Sequence, residues 1–242
     1  MALMEINNVS IPGRLQSVDL QLFTGEVVGL IGPNGAGKSS LLSAIAGLLE
    51  YAGDIEFKGE NIKHYSAQQK ARCIALQPQF IESAWALSVH DVVSMGRIPW
   101  GDSDQQIIQT AMCEAQVDQL AQRHVDELSG GEKARVWLAR VLANQAELLL
   151  VDEPVANLDI HYQRDVMQLL RAEAEKGQSV LIALHDLSLA AKYCDRLCLL
   201  DQNRVVKIGK VNEVLSEDIL SEVFGLSVFV DLDANPPVVL PR

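Results

Sequence analysis

The sequence predicts an α/β fold: a mostly parallel sheet wrapped by helices, an antiparallel β layer near the N-terminus, and a helical subdomain inserted into the core. Three observations predict it. The apolar runs VVGLIG, ELLLVDE and SVLIALHD are short and continuous, as strands buried on both faces of a parallel sheet are. Helical stretches fall between them, and strand–helix alternation is the pattern of α/β architecture. A glycine-rich turn, GPNGAGKSS, stands at the first strand-to-helix crossover.

Taken in order, MEINNVSI and SVDLQLF alternate apolar with polar, as half-buried antiparallel strands do, and GDIEFKGENI alternates again between Gly53 and Gly59. After the glycine-rich turn, KSSLLSAIAGLL places Leu41, Leu42, Ile45, Leu48 and Leu49 on one helical stripe. Residues from about 81 to 125 look helical and lack a core strand. HYQRDVMQLLRAEAEKG repeats the stripe with Val166, Leu169 and Leu170, and Gly177 suits its stop. FGLSVFVDLDANPPVVLPR alternates around a turn at Asp233 to Pro237, as a terminal hairpin would. The 242 residues are thus expected to form a single domain: 1–80 and 126–225 the core with its antiparallel layer, about 81–125 the helical subdomain, and 226–242 a C-terminal β tail.

Composition narrows the function. The formal charge is −12 with no lysine or arginine cluster, which argues against a nucleic-acid partner. MALMEINN has no basic segment followed by a long apolar run, so no signal peptide is expected. No stretch approaches eighteen consecutive apolar residues, so no membrane span is expected. Cys73, Cys113, Cys194 and Cys198 fit neither a disulfide framework nor a zinc pattern, although Cys194 and Cys198 are spaced to share a helix face. All four are read as reduced packing residues, and the compartment as cytoplasmic.

The glycine-rich turn carries the first chemistry. Gly32, Pro33, Asn34, Gly35, Ala36, Gly37, Lys38 and Ser39 match the phosphate-loop pattern, between a buried strand and a helix, and predict a P-loop NTPase core. Gly35 and Gly37 would let backbone N–H groups face a β-phosphate, Lys38 would reach the β- and γ-oxygens, and the Ser39 hydroxyl would take one Mg²⁺ position. ELLLVDE ends a buried strand in two acids, at the edge where ligands of open α/β sheets sit. Successive strand side chains point opposite ways. Asp152 is therefore expected in the Mg²⁺ shell and Glu153 as the general base for attacking water.

LSGGE, from Leu128 to Glu132, is a second glycine-rich turn opening onto a helix. Read alone it is a capping box, with Ser129 as cap and Glu132 three residues on. Together with the upstream loop it resembles the nucleotide-binding subunit of ATP-binding-cassette (ABC) transporters. The likeness extends to LQPQF as the glutamine loop with Gln79 rather than Gln77, ANLD as the D-loop with Asp159, and ALHD as the switch segment with His185. These motifs stand in family order from residue 32 to residue 186.

The resemblance implies a head-to-tail homodimer binding ATP and Mg²⁺. Ser129, Gly130 and Gly131 would touch the γ-phosphate held by the other copy, while His185 would contact the γ-phosphate and Gln79 would sense Mg²⁺ or water. It also implies permease subunits in the membrane, a periplasmic or surface substrate-binding protein acting indirectly, and a peripheral position on the cytoplasmic face. Members usually stack adenine on an aromatic residue after the first strand. NNVSIPGRL has none, so Val9 or Ile11 would offer apolar contact alone; Ser40 stands where threonine is commoner.

Phe80 to Trp100 is apolar enough to dock a short permease helix, or simply to form the core of the helical subdomain. GRIPW and the C-terminal tail resemble subunits of importers for iron–siderophore, haem and vitamin B12 chelates. Competing readings are a soluble non-transport ABC ATPase, an importer subunit for another small solute, and a small-molecule kinase using the phosphate loop alone.

Overall fold

The computed structural model describes residues 1–79, 87–156 and 158–242. Strands β1 (Met4–Ile11), β2 (Leu15–Leu22), β4 (Ala52–Phe57) and β5 (Glu60–Asn61) form an antiparallel sheet in the order β2-β1-β4-β5. The principal sheet adds β3 (Val27–Ile31), β6 (Ile74–Gln77), β7 (Leu148–Asp152), β8 (Ser179–Ala183), β9 (Arg196–Asp201) and β10 (Arg204–Lys210), ordered β10-β9-β3-β8-β7-β6. All its pairings are parallel except β10 with β9. A separate hairpin, β11 (Val228–Asp231) and β12 (Val238–Pro241), ends the chain.

Continuous apolar runs in the central strands serve two cores at once. Val28 and Leu30 of β3, Leu148 and Leu150 of β7, and Leu181 and Ala183 of β8 pack with the antiparallel sheet and α1 (Lys38–Ile45). Their neighbours Val27 and Ile31, Leu149 and Val151, and Val180 and Ile182 pack on the opposite side. That side also holds α3 (Val89–Ser94), α4 (Gln105–Glu114), α5 (Gly130–Asn144) and α6 (Ile160–Glu175). Alternation at period two is why these strands need no polar face. Among the described residues between 87 and 125, helices and turns are joined by one isolated bridge, Ser88 to His124, with no sheet strand.

The structure differs from the sequence reading in three places. The first helix stops at Ile45 rather than running on to Leu49. Gly47 adopts φ 76° and the Leu48 N–H reaches back to the Ser43 carbonyl; this left-handed C-terminal closure leaves Leu48 68% exposed. Val9 and Ile11 are sealed into the core at 0% and 6% exposure, so neither can face a nucleobase as expected. Cys194 and Cys198 do not share a helix: Cys194 follows α7 (Leu187–Tyr193) and Cys198 lies on β9. Burial pushes both thiols up to about 12, consistent with unreactive packing residues.

Candidate active site

Four neighbouring parallel strands, in the order β3-β8-β7-β6, end at one edge of the principal sheet. Each is followed by a segment singled out in the sequence. Gly32 to Ser40 follow β3, His185 follows β8, Asp152 and Glu153 close β7, and Gln79 follows β6. Residues about 150 positions apart in the chain thereby meet.

The phosphate loop is tightly built. A Cβ on Gly32, at φ 140°, would lie 2.0 Å from the Leu200 carbonyl oxygen, and one on Gly37, at φ 104°, would lie 2.5 Å from the Leu15 side chain. Gly37 caps α1 without a side-chain hydrogen bond, so the first-turn N–H groups are left for an anion. Lys38 is only 5% exposed, and its ammonium donates to the carbonyls of Gly32 at 2.8 Å and Pro33 at 3.2 Å. Burial lowers its pKa, opposed by the charges of Glu153 and Asp152. The loop opens onto a cleft of about 530 Å³, whose lining includes Asn34, Gly35, Gly37, Lys38, Ser39 and Ser40.

At the far wall, Glu153 is the convergence point. Gln79 donates its amide to Glu153 Oε2 at 2.5 Å, and His185 Nε2 stands 2.5 Å from Glu153 Oε1. Glu153 has φ 49°, a left-handed conformation costing a non-glycine residue about 1–2 kcal/mol. It leaves the strand path there and lines the cleft. Gln79 lines the same cleft, whereas Gln77 is 5% exposed inside β6.

Asp152 is 6% exposed, and its Oδ1 has no hydrogen-bond partner. Burial raises its pKa, opposed first by a hydrogen bond with Ser39 and also by the charge of Lys38. An orphaned, buried carboxylate oxygen beside a hydroxyl is an oxygen-only donor pair suited to a hard cation such as Mg²⁺. Among the described residues no cluster of three or more His, Cys, Asp or Glu gathers to hold a metal. Mg²⁺ sites often use one or two protein oxygens and complete the shell with phosphate and water.

The second turn lies apart. Ser129, Gly130 and Gly131 do not line the Lys38 cleft; Gly130 lines a neighbouring hollow of about 250 Å³ with Gln79, Glu153 and Trp137. Ser129 caps α5 in the expected capping box, accepting from the Glu132 N–H at 3.3 Å while its own N–H donates to Glu132 Oε2 at 2.8 Å. The Ser129 hydroxyl, before any other group, holds the Glu132 carboxyl below its ordinary pKa. Asp159 caps α6, accepting from the Tyr162 N–H at 3.0 Å, and lines neither hollow. Sequence reasoning missed Gly13, Arg14 and Asn203, which complete the cleft. Gln202 and Asn203, with φ 44° and 67°, form the turn of a β9–β10 hairpin that the sequence reading did not see.

The family model for ABC transporters matches residues 15–156. This chain belongs to the ABC transporter family. Members are ATPases that bind ATP and hydrolyse it to power transport, and the ABC fold accounts for the mixed sheet with its separate antiparallel layer. A hemin import ATP-binding protein, HmuV, of Pseudomonas fluorescens is 41% identical over 239 residues, covering 94% of either chain. The protein of that name from Nocardia farcinica is 44% identical over 216 residues, covering 87% of this chain and 75% of its own. A solved structure described as a metal-chelate type ABC transporter in an inward-facing conformation superposes with a TM-score of 0.86 at 25% identity, covering 100% of this chain and 97% of that one.

Proposed function

We propose that this ABC ATPase powers uptake of haem, or a closely related metal chelate, through a separate membrane permease. The site observation behind the catalytic part is the Glu153 carboxylate gripped by Gln79 and His185 across a cleft from Lys38. The cargo rests on the near-full-length likeness to hemin import ATP-binding proteins.

In this reading the triphosphate enters the cleft along the N–H groups of Gly32 to Ser40, with Pro33, Asn34 and Ala36 shaping the turn. Lys38 exchanges its carbonyl acceptors for β- and γ-oxygens. Ser39 and Asp152, with Gln79 at the edge of the shell, hold Mg²⁺, which when bound offsets negative charge on the phosphates. Glu153 takes the proton of the attacking water as oxygen reaches the γ-phosphorus and the bond to ADP breaks. His185 then turns from Glu153 to the γ-phosphate, and Glu153 Oε1 is left to take the proton of the water.

The signature turn completes the site of a second copy. Ser129, Gly130 and Gly131 of one subunit close over ATP held by the other in a head-to-tail homodimer, with Asp159 at the seam. Isologous pairing supplies two such sites. Among the described residues no helix is long and apolar enough to cross a membrane. We therefore assign a peripheral place on the cytoplasmic face, docked to permease subunits that a periplasmic or surface binding protein loads. Ile98 and Trp100, 70% and 38% exposed, suit that docking; residues 80–86 of the segment assigned to it lie outside the described residues.

Glu153→Gln tests the catalytic core. It should still bind ATP, hydrolyse it roughly 10²–10⁴-fold more slowly, and elute as a dimer on gel filtration with ATP; turnover at the wild-type rate would remove Glu153 as the base. For the cargo, the complex isolated from membranes should contain permease subunits, and loss of this chain should abolish growth on haem as sole iron source. Unimpaired growth there, with impaired growth on another chelate, would move the assignment to that chelate.

A further inference from the structure

The cleft has a direction. Gln79, Glu153 and His185 gather into one hydrogen-bonded group, and the terminal phosphate belongs beside it because Glu153 is the base assigned to water. A nucleotide with its β- and γ-groups on Lys38 and its terminal phosphate beside Glu153 leaves for its ribose and base the rest of the lining, Gly13, Arg14 and Asn203, where Asn203 bonds Arg14 and Gly35 and none of the three bonds Glu153. This direction rests on the phosphate assignment made above. None of the described residues lining the cleft is a Phe, Tyr or Trp, and the His185 imidazole is held against Glu153.

What that part of the cleft offers is a guanidinium. Arg14 is exposed, lines the cleft, and its side chain has no hydrogen-bond or ion-pair partner among the described residues. Its backbone, in contrast, is fixed from three sides. The Arg14 N–H donates to the Ile11 carbonyl at 2.9 Å, and Gly13 at φ 71° closes the turn. The Asn203 amide, with its nitrogen facing both acceptors, donates to the Arg14 carbonyl at 2.8 Å and the Gly35 carbonyl at 3.2 Å. The next residue but one is tied as well, by the Gln16 N–H donating to the Asn203 carbonyl at 2.8 Å. One side chain thus clamps the Arg14 turn to the phosphate loop and sets the distance between them.

We infer that Arg14 is the nucleobase platform of this site, stacking its planar guanidinium on the base where an aromatic ring is absent. A guanidinium plane stacks on π-systems. It reads the face of the ring, which all bases share, and not the hydrogen-bonding edge. The site should therefore hold ATP and GTP with similar affinity.

Calorimetric titration of the full chain with ATP, GTP and inorganic tripolyphosphate tests this. Arg14→Ala should weaken ATP and GTP alike by roughly 3- to 30-fold and leave tripolyphosphate within about twofold. Arg14→Tyr should recover the lost affinity, because the ring restores a stacking surface without the charge. Unchanged ATP affinity in Arg14→Ala would overturn the inference. So would an equal loss for tripolyphosphate, which would make Arg14 a phosphate ligand, or a wild-type preference for ATP over GTP beyond about 100-fold, which requires reading of base edges. Lys38→Ala separates the two layers of the argument: tripolyphosphate binding must fall in that variant, and if it persists the phosphate assignment itself fails.

Discussion

The molecule carries two glycine-rich turns at helix N-termini, and they use glycine for different reasons. At Gly32 and Gly37 the backbone is left-handed, and a single added carbon would strike Leu200, Leu15 or Arg14. Gly130 and Gly131 keep ordinary helical geometry; a Cβ on Gly130 meets nothing within 4 Å, and one on Gly131 would make ordinary contacts with the side chains of Tyr162 at 3.4 Å and Leu158 at 3.7 Å. The first pair is demanded by this chain's own packing. Nothing among the described residues demands the second, which is what a constraint imposed from outside the chain would look like. A second copy presenting a nucleotide to that turn would supply it.

Breaking this contrast begins with Gly32→Ala, where the expected effect is largest. A Cβ 2.0 Å from a backbone oxygen, in a conformation alanine resists, should cost more than about 3 kcal/mol. Thermal unfolding should show a large fall in midpoint or no cooperative transition, and a normal melt would show the loop to be looser than described. A mixing experiment comes second. Lys38→Ala chains and Ser129→Arg chains should each be inactive alone, yet a mixture should recover ATPase activity because each heterodimer holds one intact composite site. No recovery under conditions where heterodimers form would count against sharing across subunits. Gly130→Ala should have the smallest effect on folding: within about 1 kcal/mol of wild type by thermal melt, with the sign leaning toward stability because alanine favours helix. Its hydrolysis should nonetheless fall, and a variant changed in neither respect would leave that glycine without a role.

The chemistry-bearing segments were legible because their signals are local. A phosphate loop needs a strand, a turn and a helix within about fifteen residues, and Gly32 to Ser40 show all three in the chain itself. The capping box at Ser129 and Glu132 is local too, and it forms as read. Gly47 shows where local reading slipped: the apolar stripe ran past it, yet one left-handed residue decided where the helix stopped. The short strand β6 and the hairpin β9–β10 passed unnoticed, being only four to seven residues long. Without that hairpin, Asn203 could not be connected to Arg14 and Gly35, and the part of the cleft lined by Gly13, Arg14 and Asn203 stayed invisible.

The sequence by itself determined the α/β class, the order along the chain of the strands that lead into the cleft, and the identity of most residues that line it. Those depend on side-chain periodicity and turn geometry, which neighbours in the chain establish. Only the tertiary structure decided that Gln79, Glu153 and His185 touch, that Val9 and Ile11 are buried, and that Arg14 lines the same cleft. Strand order β3-β8-β7-β6 is a long-range choice, made by how two hydrophobic faces of each strand fill two separate cores, and no window of neighbouring residues encodes it.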